Sequence, residues 1–159
     1  MTPDALRQRV RRYLHEHRVL TLATLGPQGP WAAAVFYAGD ESALYFVSSP
    51  TSRHAVELGA HARVAGTVQE DYADWVSIQG VQLEGLACKA EGEDRALAQR
   101  VYTGKFPLIG SLAAAPEPIA RALARVEWYK LVPERLLWID NAAGFGRRQE
   151  LLLVPPGPA

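Results

Sequence analysis

Residues 19–49 read VLTLATLGPQGPWAAAVFYAGDESALYFVSS, and the two turns inside this stretch decide the fold. Gly26-Pro27-Gln28-Gly29-Pro30 and Gly39-Asp40-Glu41-Ser42 supply turn residues between three segments rich in apolar, β-branched and aromatic side chains. The spacing predicts strands Val19–Leu25, Trp31–Ala38 and Ala43–Ser49 joined as an antiparallel meander.

Working outward, Leu6, Val10, Tyr13 and Leu14 recur at helical spacing with arginines between them, so the first 18 residues read as an amphipathic helix with a solvated basic face. After the meander, Thr51 or Ser52 caps a short helix running to about Leu58, and Arg63–Gln69 is strand again. Val81–Ala90 is a long strand whose Gly80 and Gly85 suit bulges or close backbone approach, the means by which a sheet bends enough to close. Helices are predicted over Asp94–Phe106, stopped by Pro107, and over Glu117–Arg125. Val126–Val132, Leu136–Asp140 and Glu150–Val154 supply the last strands. Hairpin spacing disfavours parallel βαβ units, so the expectation is a mainly β fold, a closed antiparallel β-barrel with peripheral helices.

The chain has 159 residues, 48% of them hydrophobic, which is enough for one core. A single domain over residues 1–154 is expected, followed by a disordered Pro155-Pro156-Gly157-Pro158 tail spanning residues 155–159. Seventeen basic residues balance seventeen acidic ones, which disfavours a nucleic-acid partner. No apolar run approaches the roughly 20 residues of a membrane-spanning helix, so no membrane partner is expected. The start lacks the apolar stretch of an export signal, and the single cysteine, Cys88, suits a reducing cytoplasm and reads as a small buried hydrophobe.

Few residues carry chemistry. His15 and His17 lie two apart on a helix and point away from one another, and His61 has no recognisable ligand partners, so no metal site is expected. Trp31, Trp75, Trp128 and Trp138 read as core, and Lys105 as a favourable charge at the end of its helix. Ser48-Ser49-Pro50-Thr51-Ser52-Arg53-His54 stands apart. It places hydroxyls, a guanidinium and an imidazole where a strand ends and a helix begins, the chemistry of a phosphate site. The same residues also serve as a turn and a helix cap.

The element order and this segment together resemble the FMN-binding split β-barrel family, the family of pyridoxamine 5′-phosphate oxidase. The likeness runs over roughly Val19–Asn141. That family's third strand ends in Tyr-Thr-Asn and continues, after two residues, as Ser-Arg-Lys; Val47-Ser48-Ser49 and Ser52-Arg53-His54 match it at the same spacing. A small subgroup of uncharacterised bacterial members is most alike, through Trp31-Ala32, Phe36-Tyr37, Leu44-Tyr45-Phe46, Gly80-Val81-Gln82 and Trp138-Ile139-Asp140-Asn141. The resemblance implies a split antiparallel β-barrel, a homodimer with FMN in the groove between subunits, and a flavin-dependent oxidoreductase acting on a small substrate. It assigns the phosphate to Val47, Ser48, Ser49, Ser52, Arg53 and His54, and the ring to Ala33, Ala34, Val35 and Gln82. Related split barrels imply alternatives: a deazaflavin, haem with His61 as the residue of interest, or a non-catalytic flavin-binding or stress protein.

The sequence departs from the oxidases in four places. They carry an arginine at the start and a lysine at the end of the second strand, where Ala32 and Tyr37 stand, and a lysine where His54 stands. Weaker flavin binding is expected. Their C-terminal arginine-histidine motif is absent as well, since the chain runs Gly144-Phe145-Gly146-Arg147-Arg148 there, so vitamin B6 oxidation is not expected.

Overall fold

Sheet closure is the organising event of this fold. In the computed structural model, which describes residues 1–111 and 115–153, the elements run α1 (Pro3–Glu16), β1 (Val19–Gly26), β2 (Gly29–Gly39), β3 (Leu44–Ser48), α2 (Arg53–Ala60), β4 (Arg63–Gln69), β5 (Gln79–Lys89), α3 (Gly92–Lys105), α4 (Pro107–Gly110), α5 (Glu117–Leu123), β6 (Glu127–Asp140) and β7 (Arg148–Leu152). The strands are ordered β3-β2-β1-β4-β5-β6-β7, all antiparallel, and β3 also pairs with β6. That last pairing joins six strands into a barrel and leaves β7 as an addition to β6. The predicted tail at residues 155–159, and Val154 of the last predicted strand, lie outside the described residues.

The two strands expected over Val126–Val132 and Leu136–Asp140 are one, despite Pro133. A proline lacks the N–H that a ladder needs and is tolerated where the ladder is already interrupted. Here the register between β5 and β6 shifts between Glu84 and Gly85, and Pro133 stands opposite Gly85. The glycine is required by crowding: a Cβ on Gly85 would lie 2.2 Å from the Val132 carbonyl oxygen and 2.8 Å from Pro133 Cα, both backbone atoms that cannot swing aside. Gly85→Ala is therefore expected to destabilise the barrel by about 1–3 kcal/mol, measured by denaturant unfolding. Gly59→Ala makes the control, since it lies in α2 with open space around it and is expected to be neutral or to stabilise by up to ~1 kcal/mol.

Alternation fills the barrel. Leu20 and Leu22 of β1, Val64 and Val68 of β4, and Val81 and Leu83 of β5 point inward and form the main core with Phe46, Leu131 and Trp138. Helix α1 closes one end by adding Leu6, Val10 and Tyr13 to that core, and the Tyr13 ring meets Trp138 edge-on at 5.1 Å. Two of its arginines are paired with the barrel: Arg9 Nη1 donates to Asp140 at 3.1 Å and Arg11 Nη1 to Glu41 at 3.3 Å. A second apolar cluster lies outside the barrel, where Ala98 and Tyr102 of α3 pack on Tyr45 and Trp128.

Two sequence expectations fail here. Cys88 is exposed, because odd-numbered Val81, Leu83 and Ala87 take the inward positions and leave even-numbered Cys88 facing out. Of the tryptophans, Trp128 and Trp138 are core, but Trp31 and Trp75 are 43% and 73% exposed. Among the described residues, no helix is long and apolar enough to cross a membrane.

Candidate functional site

Strand β3 ends at Ser48 and α2 begins at Arg53, so the four residues between them fold the chain back over the barrel rim. Ser52 is the N-cap: its backbone is extended, and its hydroxyl accepts from the Ala55 N–H at 3.4 Å while donating to the Ser49 carbonyl at 2.8 Å. This cap sets the geometry. It brings three side chains together, with Ser48 Oγ 2.6 Å from His54 Nε2 and 3.0 Å from Ser52 Oγ, and His54 Nε2 3.2 Å from Ser52 Oγ. Because the Ser52 proton is spent on Ser49, the Ser48 hydroxyl is free to donate toward the imidazole. Burial holds His54 below the ordinary histidine range against the opposing charge of Glu57, so the ring is neutral near pH 7.

Arg53 points elsewhere. Its Nε donates to Glu57 Oε1 at 2.7 Å, its Nη2 to the Gly29 carbonyl at 3.3 Å, and its guanidinium lies over the Trp31 ring, 4.5 Å from the centroid. Glu57 is itself buried, 6% exposed, and its other oxygen accepts from the Thr24 hydroxyl at 2.6 Å. The hydrogen bonds from Thr24 and Arg53 hold its carboxyl below the ordinary range. Thr24 and Glu57 were not among the expected site residues. The available signal was spacing, since Arg53 and Glu57 stand at i and i+4 on one helix face.

The remaining expected residues divide. Ser49 is exposed and its hydroxyl lies 2.9 Å from that of Thr51, outside the cluster. Val47 points to the opposite side of β3 from Ser48, where it lines a cavity of about 340 Å³ with Arg95, Gln99, Thr103 and Trp128. On β2, Val35 is buried in the core, Ala34 is exposed on the outer face, and Ala33 is partly covered. Gln82 lies on β5, separated from β2 by β1 and β4, and accepts from Arg148 Nε at 3.2 Å. Within one chain, then, Gln82 is not brought to the Ser48 cluster.

At the ends of β2, where Ala32 and Tyr37 replace charges, the nearby cations come from other elements. Arg53 covers Trp31 at one end. Lys105 lies over the Tyr37 ring at the other, 4.4 Å from its centroid, and donates to the carbonyls of Leu14, at 3.2 Å, and His17. Lys105 thus serves the C-terminus of α1 rather than only its own helix. Burial, with a smaller push from Arg18, brings its ammonium down to about 8.

The histidines outside the cluster have other partners. His17 stacks on Tyr13 and its Nε2 lies 2.7 Å from Glu70, while His61 is exposed and ends α2 through its backbone N–H. No group of three or more metal-ligating side chains occurs among the described residues. The Trp138–Asn141 motif is structural in this chain: Trp138 fills core, Asp140 pairs with Arg9, and Asn141 bonds the Trp75 carbonyl at 2.7 Å and the Gly146 N–H at 3.1 Å.

This arrangement gathers polar groups whose chemistry could meet an anion. Two hydroxyls, an imidazole, a fixed guanidinium and the first N–H groups of α2, which have no carbonyl within the helix to serve, are all donors or can become so.

Comparison with known proteins bears on the family and the fold. The pyridoxamine 5′-phosphate oxidase model matches residues 6–137. The UPF0306 protein YhbP of Escherichia coli O157:H7 is 31% identical over 141 residues, covering 87% of this chain and 88% of that one. Among solved structures, a putative pyridoxamine 5′-phosphate oxidase from Listeria innocua superposes with a TM-score of 0.66 at 18% identity, covering 85% of this chain and 98% of the other. A heme-binding protein from Mycobacterium smegmatis superposes with a TM-score of 0.71 at 21% identity; the match covers 96% of this chain but only 58% of that longer one. Likeness at these identities shows the shared fold.

Proposed function

The chain belongs to the pyridoxamine 5′-phosphate oxidase family, and from that premise we propose that it is a homodimeric FMN-binding flavoprotein that transfers electrons from a reduced nicotinamide or another donor to a small acceptor. The observation that carries this reading is the convergence of Ser48, Ser52 and His54 at the start of α2; Arg53, the next residue after Ser52, turns to Glu57, Gly29 and Trp31. These residues hold the phosphate monoester of FMN. Bound flavin supplies the redox chemistry, and the protein binds it, orients it and shields it from water.

Support for the dimer comes from the outer face of β1 and β2. Val19, Leu25, Pro30, Ala34 and Phe36 are exposed there, an apolar surface of the kind a second copy covers. A two-fold partner also offers a route for Gln82 and the ring-contacting part of β2 to meet across subunits. Small side chains at Ala32, Ala33 and Ala34 leave room for a flat ring against the strand.

Titration with FMN and with riboflavin, followed by flavin fluorescence, tests the phosphate assignment. FMN is expected to bind at least about tenfold more tightly than riboflavin, as one charge-assisted hydrogen-bonded group is worth about 1.5–3 kcal/mol. Equal affinity, or none for either, overturns the assignment. Haem added in place of flavin serves as the competing arm: a Soret shift abolished by His61→Ala, with no flavin bound, transfers the chain to the haem-binding side of the fold. Flavin that binds but is reduced neither by nicotinamides nor by another donor removes the electron-transfer role and leaves a binding protein.

A further inference from the structure

We propose that Glu57 is a positioning residue: anchored by Thr24, it fixes the Arg53 guanidinium so that the edge away from the carboxylate is presented to a phosphate monoester. This inference rests on the cofactor reading above. Three contacts define the guanidinium, and a fourth anchors Glu57. Nε is held by Glu57 Oε1 at 2.7 Å, Nη2 by the Gly29 carbonyl at 3.3 Å, the plane by the Trp31 ring at 4.5 Å, and Glu57 by the Thr24 hydroxyl at 2.6 Å. The Nη1 hydrogens and the second hydrogen of Nη2 remain for a ligand.

Packing alone does not call for a carboxylate at this position. Glu57 lies among the buried residues of α2, Ala55 and Leu58, where an apolar side chain would complete the core. A carboxylate taken out of water is tolerated only where donors replace its hydration. The chain supplies them from two elements and clears space in a third place: Gly26, at the end of β1, has no side chain, and a Cβ there would lie 2.6 Å from Glu57 Oε1. A seat built from α2, β1 and the start of β2 fixes one guanidinium orientation.

This arrangement changes how an anion is recognised. Glu57 balances the charge of Arg53, and His54 is neutral, so the site attracts phosphate by the direction of its donors more than by net positive charge. A flexible surface arginine loses rotamer freedom on binding; one already held in place does not.

The test is a double-mutant cycle on flavin affinity, using FMN and riboflavin as probes with wild type, Glu57→Gln, Arg53→Ala and the double variant. Glu57→Gln keeps the size but leaves one acceptor for two donors, Thr24 and Arg53, and removes the charge, so the guanidinium is held less firmly. It is expected to weaken FMN about tenfold, to leave riboflavin unchanged, and to add nothing in the Arg53→Ala background. Thr24→Val, which removes only the anchor, is expected to reproduce the pattern at smaller amplitude. Equal losses for FMN and riboflavin, or full additivity with Arg53→Ala, overturn the positioning role while leaving the cofactor reading intact. Wild-type protein that does not prefer FMN to riboflavin overturns both, and is recognised by that result alone.

Discussion

Trp138→Ala is expected to lower the unfolding free energy by about 3–5 kcal/mol, the range for removing a large aromatic side chain from a packed core. Trp138 is 2% exposed and sits where three parts of the molecule meet. Its neighbours across the ladder are Val81 of β5 and Gln149 of β7, and its ring takes the edge-on contact with Tyr13 that fastens α1 over the barrel. The variant loses the transfer energy of the indole and leaves a hole under the helix, and the rigid strands on either side cannot close it. For a domain of this size the expected fall in melting temperature is on the order of 10 °C. Trp75→Ala provides the contrast, since that side chain is mostly in solvent, its ring neighbour Phe145 is itself exposed, and the backbone carbonyl bound by Asn141 is kept. A change within about 0.5 kcal/mol is expected there. Similar losses for both variants would mean that the barrel end is not closed by Trp138 as described.

Arg53→Ala is expected to weaken FMN ten- to a hundredfold, about 1.5–3 kcal/mol, while riboflavin affinity changes little. The magnitude follows from the kind of contact removed. A guanidinium meets two phosphate oxygens with parallel N–H donors, and the geometry is set in advance by Glu57, Gly29 and Trp31. The variant also strips Glu57 of its cation, leaving only the Thr24 hydroxyl on a buried carboxylate, so its thermal stability must be measured beside its affinity. Arg53→Lys separates the two effects: it keeps the charge near Glu57 but loses the paired donors, and an intermediate FMN affinity at near-normal stability is expected. Unchanged FMN affinity in both variants would place the phosphate elsewhere.

Much of the fold was legible because turn chemistry is local. The two turns between residues 26 and 42 defined the meander, and Arg63–Gln69 is a strand with the predicted bounds. Pro133 misled because its effect depends on what stands opposite: with Gly85 at a register shift, one strand passes through where two were expected. Cys88 was readable from strand parity, given that Val81 and Leu83 face inward. For the site, the hydroxyl and imidazole cluster followed from the strand-to-helix junction, since capping and spacing are properties of neighbouring residues. The Thr24–Glu57–Arg53–Trp31 arrangement joins positions on three elements and becomes visible only when β1, β2 and α2 are packed together. Lys105 shows the same limit, as its carbonyl partners Leu14 and His17 are supplied by a helix about ninety positions earlier in the chain.

Strand β6 gives the chain a timetable. Its first half pairs with β3, its second half with β7, and β5 runs beside both. During synthesis, β3 emerges long before residues 127–131, and until they arrive its free edge is a template for pairing with other chains. The Ser48–Ser52–His54 cluster begins at the last residue of β3, so it acquires a fixed floor only when the final third of the polypeptide has been made. A nascent chain halted before β6 therefore keeps an unsealed β3 edge and an open barrel.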